Sequence, residues 1–147
     1  MVDRRSGFAA QSQVLVAGEA EGEALVLSEP LSLWGGLDPD SGRIIDQRHP
    51  ALGAIVRGRV LVLPAGRGSS SASSILLEAV RLDTAPAAII TAEVDPILAL
   101  GAAVALELYG RAPAVIVLPS PAYEQIETGW RLAIGRDGAV TGRGEGG

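Results

Sequence analysis

Between Arg59 and Leu118 the apolar residues take two alternating forms, short unbroken runs and longer one-sided stripes. The runs Arg59–Leu63, Ala87–Thr91 and Ala114–Leu118 are almost wholly apolar, the pattern of strands covered on both faces. Between the first two, Ile75, Leu76, Ala79, Val80 and Leu82 recur at one-, three- and four-residue spacings. That period predicts a helix over Ser70–Leu82 with one buried face and Ser69 or Ser70 as its N-cap. A second helix is predicted over Asp95–Leu108, capped by Asp95 with Pro96 at its first position. Its apolar stretch Leu98–Leu108 reads as core. The order strand-helix-strand-helix-strand predicts an α/β fold, a small parallel sheet with right-handed crossover helices.

The flanking segments have antiparallel character. Val14–Leu27 alternates around the turn-prone Gly18–Gly22, with Leu25 and Leu27 on one side and Ala24 and Val26 on the other, and reads as an early β-hairpin. From Pro30 a dense run of turn formers, Trp34 to Gly42, ends in Ile44 and Ile45, as in a long functional loop or a wide hairpin. Trp130–Ile134 and Ala139–Thr141 flank Gly135–Gly138, whose Asp-Gly step is a hairpin-turn signal. These antiparallel strands are expected to pack on the parallel sheet as a second sheet or half-barrel. The chain reads as one domain, with a core over about 14–118 and a β-ribbon extension over 119–147 that ends in a Gly-rich tail.

Composition narrows the classes of function. A chain of 147 residues that is 48% hydrophobic supports one domain with a sizeable core. A formal charge of -5, with no basic stripe interleaved with aromatics, argues against a nucleic-acid partner. No apolar run approaches the ~20 residues of a membrane span, and no signal-peptide core follows Met1, so a cytoplasmic location is expected. There is no cysteine and a single histidine, so the chain lacks the thiolates of an iron–sulfur or zinc site. All 12 basic residues are arginine, which excludes Schiff-base chemistry and the lysine of a phosphate-binding loop.

The stretch Leu61–Ser74 carries the most chemistry. A buried strand runs through Pro64, Gly66 and Gly68 into a serine-capped helix. Glycines there allow close backbone approach to a ligand, and the unpaired amides of the first helical turn favour negative charge. On pattern alone Ser69 is a helix N-cap, and Ser70 and Ser71 are caps, solvated residues or donors to a substrate. Arg67 offers a bidentate fork for a carboxylate or is simply exposed. His49 is either a catalytic or phospho-accepting ring or a structural or subunit-contact residue. Asp38, Asp40 and Asp46 lack the spacing of a calcium loop and read as turn chemistry. Trp34 lines a cleft or interface, or belongs to the core beside a tight turn.

The residues Ser28–Asp46 with their Trp34-Gly-Gly motif, then His49-Pro50, Gly58–Pro64, Gly66-Arg-Gly-Ser-Ser-Ser71, and Asp95–Gly101 continuing to Tyr109-Gly110, resemble in order the swivel-domain small subunit of the aconitase X family. The resemblance implies a swivelling β/β/α domain that closes over a larger, cysteine-bearing subunit holding an iron–sulfur cluster. It also implies a dehydratase, inactive without that partner, in which a base removes a proton beside a carboxylate while the iron site takes the hydroxyl. By position the family's proton acceptor falls on Ser69, with Arg67, Gly68, Ser70 and Ser71 as oxyanion support or substrate contacts. Family members act on cis-3-hydroxy-L-proline in bacteria and on mevalonate 5-phosphate in archaea. A chain that continues past the third predicted strand, together with exclusive arginine use, favours the hydroxyproline substrate. A phosphohistidine-type swivel carrier using His49, or a binding module without chemistry, remain the alternatives of another class.

Overall fold

A computed structural model describes residues 7–65 and 71–144. The elements in order are β1 (Phe8–Gln11), β2 (Gln13–Val16), β3 (Ala20–Val26), α1 (Leu33–Gly36), β4 (Leu37–Asp38), β5 (Arg43–Ile44), β6 (Val60–Leu63), α2 (Ser71–Arg81), β7 (Ala88–Thr91), α3 (Pro96–Tyr109), β8 (Ala114–Val117), α4 (Ala122–Gln125), β9 (Arg131–Ile134) and β10 (Ala139–Arg143). Eight strands form one sheet in the order β1-β10-β9-β3-β6-β7-β8-β2. Its middle, β3-β6-β7-β8, is parallel, and the remaining pairings are antiparallel.

The two ends of that order are consecutive in sequence, separated only by Ser12. The first strand segment therefore pairs with β10 through its front half and with β8 through its back half. The Ser12 amide and hydroxyl both donate to the Gly138 carbonyl, at 3.0 and 2.8 Å, which fixes the switch. β3 makes the complementary switch. Ala20–Glu23 pair with β9 and Ala24–Val26 with β6, so the sheet folds back on itself. Gly22 sits at that bend, where a Cβ would lie 2.7 Å from the Gly58 carbonyl oxygen, so only glycine permits the approach.

Strand alternation builds two cores on the two faces of the parallel strands. Ala24, Val60, Val62, Ala88, Ile90, Ala114 and Ile116 face β9 and β10, where they meet Leu132, Ile134 and Val140. Leu25, Leu61, Leu63, Ile89 and Val115 face the helices and meet Ala72, Leu76, Leu98 and Ala102. The result is the expected α/β architecture in three layers, with an antiparallel wall, a parallel centre and a helix pair. A bulge between Val14 and Val16 turns both Leu15 and Val16 toward the helix-side core.

The early hairpin does not form. β2 and β3 lie on different parts of the sheet, because each finds a longer-range partner that buries its alternating face. Residues 28–59 form instead an excursion between β3 and β6 that contains the small β4–β5 hairpin. Leu31, Leu33, Leu37, Ile44 and Val56 anchor it in the helix-side core. The β9–β10 hairpin is a wall of the barrel-like sheet, tied to β3 on one side and β1 on the other.

Candidate functional site

The parallel strands end together on one edge, with Leu63 beside Thr91 and Thr91 beside Val117. In open α/β sheets this carboxyl edge is where ligands bind. The Ala92 amide donates to the Pro64 carbonyl at 3.1 Å, extending the β6–β7 pairing one residue beyond the strand. Ala65 then leads to residues 66–70. Arg67, Gly68, Ser69 and Ser70 lie outside the described residues, and Ser71 is the first described residue of α2, half-buried at its start.

Two features place the start of α2. Gly101 of α3 stands against it, and a Cβ there would meet the Ser73 carbonyl oxygen at 3.0 Å and the Ser73 Cα at 3.1 Å. The helices cross this closely because position 101 has no side chain. α3 is itself fixed at the same edge by the predicted cap. Asp95, buried, accepts from the Ile97 and Leu98 amides, both at 3.0 Å, with Pro96 at the first helical position. Thr91 is fully buried and donates to the Glu93 carbonyl at 2.6 Å, which shapes the turn between β7 and α3. The apolar pattern marks Thr91 only as a strand end, so this role was not legible.

Within the 28–59 excursion, α1 packs against α2, and the Pro39 carbonyl accepts from the Thr84 hydroxyl at 2.6 Å beyond the C-terminal end of α2. Trp34 and Gly35 depart from helical geometry, Gly35 at φ +76°, and the turn leaves the indole 60% exposed. Trp34 is therefore on the surface beside α2 and not in the core. Asp38 accepts from the Asp40 amide and the Ser41 hydroxyl, and Asp46 from the Arg48 amide, which is the turn chemistry expected of them. His49 is buried. Its Nδ1 accepts from the Ala51 amide at 3.0 Å and its Nε2 lies 3.2 Å from the Glu29 carbonyl. With both nitrogens engaged, neither is presented to a phosphoryl donor, which counts against the phosphohistidine reading.

The opposite edge holds a concavity of about 260 Å³ lined in part by Arg57, Asp83 and Arg111. Its arginines are engaged. Arg111 donates to the Val80 and Arg81 carbonyls, and Arg57 lies 3.7 Å from Asp83. On the surface of α2, the Arg81 guanidinium hydrogen-bonds Glu78 and holds its carboxyl below the usual range. Burial pushes the Tyr123 phenol up to about 12, beside the wall-side core. Among the described residues no cluster of His, Cys, Asp or Glu is arranged to hold a metal, and no helix is long and apolar enough to cross a membrane. With no cysteine in the sequence, an iron–sulfur cluster does not fit this chain's own residues.

An antiparallel wall, a parallel centre and a helix pair, with β6 and α2 meeting at the carboxyl edge, define a three-layer β/β/α domain. The chain belongs to the aconitase X swivel-domain family, whose sequence profile matches residues 9–142. It is 49% identical over 125 residues, 84% of its length, to a cis-3-hydroxy-L-proline dehydratase of Pseudomonas aeruginosa, of which it spans only 22%. It is 46% identical over 93 residues to the phosphomevalonate dehydratase small subunit of Methanothermobacter thermautotrophicus, covering 63% of this chain and 71% of that one. The crystal structure of Thermococcus kodakaraensis aconitase X in its holo-form superposes with a TM-score of 0.82 at 29% identity, over 92% of this chain and 98% of that one. The phosphomevalonate dehydratase small subunit of Archaeoglobus fulgidus is 38% identical over 125 residues, 85% of this chain and 90% of that one, a span that runs past β8, so chain length does not separate the two named activities.

Proposed function

We propose that this chain is the swivel-domain small subunit of an iron–sulfur hydro-lyase that dehydrates cis-3-hydroxy-L-proline to a pyrroline-2-carboxylate, with Ser69 as the base. The observation that carries the substrate is the 49% identity to the Pseudomonas aeruginosa dehydratase over 84% of this chain. A further cis-3-hydroxy-L-proline dehydratase, of Hypocrea jecorina, matches over a similar span, 86% of this chain at 36% identity. Mevalonate 5-phosphate is the second reading, favoured by the 46% identity to the Methanothermobacter small subunit over the shorter span.

The base follows from the family's Gly-Arg-Gly-Ser motif, here Gly66 to Ser69. A serine hydroxyl is a poor base in water. It becomes one only where its alkoxide is stabilised by preorganised donors and water is excluded. The segment leads directly into the eleven-residue helix α2, whose first-turn amides and dipole favour negative charge, and Arg67 adds a guanidinium. In this reading Ser69 takes the proton from the carbon beside the substrate carboxylate. The hydroxyl leaves from the neighbouring carbon, and the first enamine tautomerises to the product. An iron–sulfur cluster would be held by a cysteine-bearing large subunit, since this chain has no cysteine, and would supply Lewis-acid chemistry there. The two chains act together in the cytoplasm, and this one alone is inactive.

The test is anaerobic reconstitution with the large subunit and measurement of cis-3-hydroxy-L-proline turnover beside mevalonate 5-phosphate turnover. Exclusive turnover of the phosphate ester would overturn the substrate assignment, and full activity of Ser69→Ala would overturn the base.

A further inference from the structure

His49 is a buried titratable group that the proposed chemistry does not use, and its hydrogen bonds specify both its tautomer and its reach. The Ala51 amide can only donate, so Nδ1 must be bare and the neutral ring carries its proton on Nε2. That N–H then donates to the Glu29 carbonyl at 3.2 Å. The first bond is local, two residues along the chain. The second spans 20 residues and joins the far part of the excursion to the point where the chain leaves β3.

From the ring a short series of contacts reaches α2. The His49 amide donates to the Asp46 carbonyl at 3.1 Å, and the Ile45 amide donates to the Gly36 carbonyl at 2.8 Å. A Cβ at Gly36 would lie 3.7 Å from the Asp46 Cβ, so the two segments are in close register. Gly36 closes the Trp34–Gly35 turn, and this turn packs on α2, the helix entered from residues 66–70. We infer that His49 is a positioning residue: its Nε2–H bond to Glu29 seats residues 45–52 against the exit of β3 and so holds the Trp34–Gly36 turn on α2. The inference rests on the reading of the β6–α2 junction as the site.

Asparagine and glutamine separate the two bonds. Asn presents a carbonyl at about the reach of Nδ1 and can keep only the Ala51 bond, in an Asx turn. Gln presents an amide N–H at about the reach of Nε2 and can keep the Glu29 bond. In the reconstituted two-subunit enzyme, His49→Ala and His49→Asn are expected to lower kcat about tenfold with KM changed less than about twofold. His49→Gln is expected to recover to within about threefold of wild type, a scale set by sub-ångström misplacement of a site. In the isolated chain, the Trp34 indole ¹⁵N–¹H resonance should move in the Ala and Asn variants and return in Gln. Its assignment comes from Trp34→Phe. If Asn rescues and Gln does not, if no variant differs from wild type, or if Gln is as impaired as Ala, the inference fails. Wild-type enzyme inactive on cis-3-hydroxy-L-proline would sink the substrate reading instead, and the indole resonance would then decide the bridge by itself.

Discussion

Substituting Gly101 by alanine adds one methyl group at the crossing of α2 and α3. That methyl would lie 3.0 Å from the Ser73 carbonyl oxygen and 3.1 Å from its Cα, both backbone atoms that no rotamer change can move. Ordinary van der Waals contact needs a few tenths of an ångström more, so α2 must shift at the end that carries the candidate site. Overpacking of this kind costs about 1–3 kcal/mol. The change also gains about 0.8–1.0 kcal/mol, because alanine is the better helix former. The net is a destabilisation of about 1 kcal/mol, which lowers Tm by roughly 2–4 °C for a chain of this size. A shift of a few tenths of an ångström should cost about tenfold in turnover, since about 1 Å can cost ~10²-fold. Thermal melts of the isolated chain by circular dichroism and turnover by the reconstituted enzyme measure the two effects separately. A Tm raised by about 3 °C with unchanged turnover would show that propensity acts alone and that the crossing does not position α2.

Two further expectations concern the same framework. Asp95→Ala removes a cap that accepts from two amides and should cost about 0.5–2 kcal/mol, whereas Asp95→Asn retains an acceptor and should lose less than half as much, as read by urea unfolding. The Tyr123 phenol, pushed up to about 12 by burial, holds its proton in the folded chain over a range where the unfolded chain, near pKa ~10, has lost it. The unfolded state then binds fewer protons, so stability falls as pH rises from about 10 to 12. Tyr123→Phe should flatten that fall in Tm, and parallel curves for the two proteins would refute the assignment.

The middle of the fold was legible because its signals are local. Short, Val-rich runs such as Val60–Leu63 read as strands covered on both faces, and Asp95-Pro96 announces a helix start at the residue where α3 begins. Strand pairing was less legible. The alternation of Val14–Leu27 marks strands but not partners, and the turn-like Gly18–Gly22 suggested a hairpin where the chain instead crosses to a distant neighbour. The sequence offered His49 a structural role among its alternatives, but the same limit hid its partner, because the Glu29 carbonyl lies 20 residues away. Thr91 and Gly101 act through contacts that no periodicity encodes. The candidate base rests on the resemblance, through the contiguous motif Gly66-Arg-Gly-Ser69, and lies outside the described residues.

The central claim is that this chain supplies the base of a two-component dehydratase. The most direct measurement is cis-3-hydroxy-L-proline turnover by the anaerobically assembled complex, wild type against Ser69→Ala, with cluster content and complex stoichiometry checked in both. The account predicts activity that requires both chains and falls by ~10²–10⁴-fold on the substitution, with cluster and complex intact. Undiminished turnover by Ser69→Ala, or turnover by the large subunit alone, would contradict it.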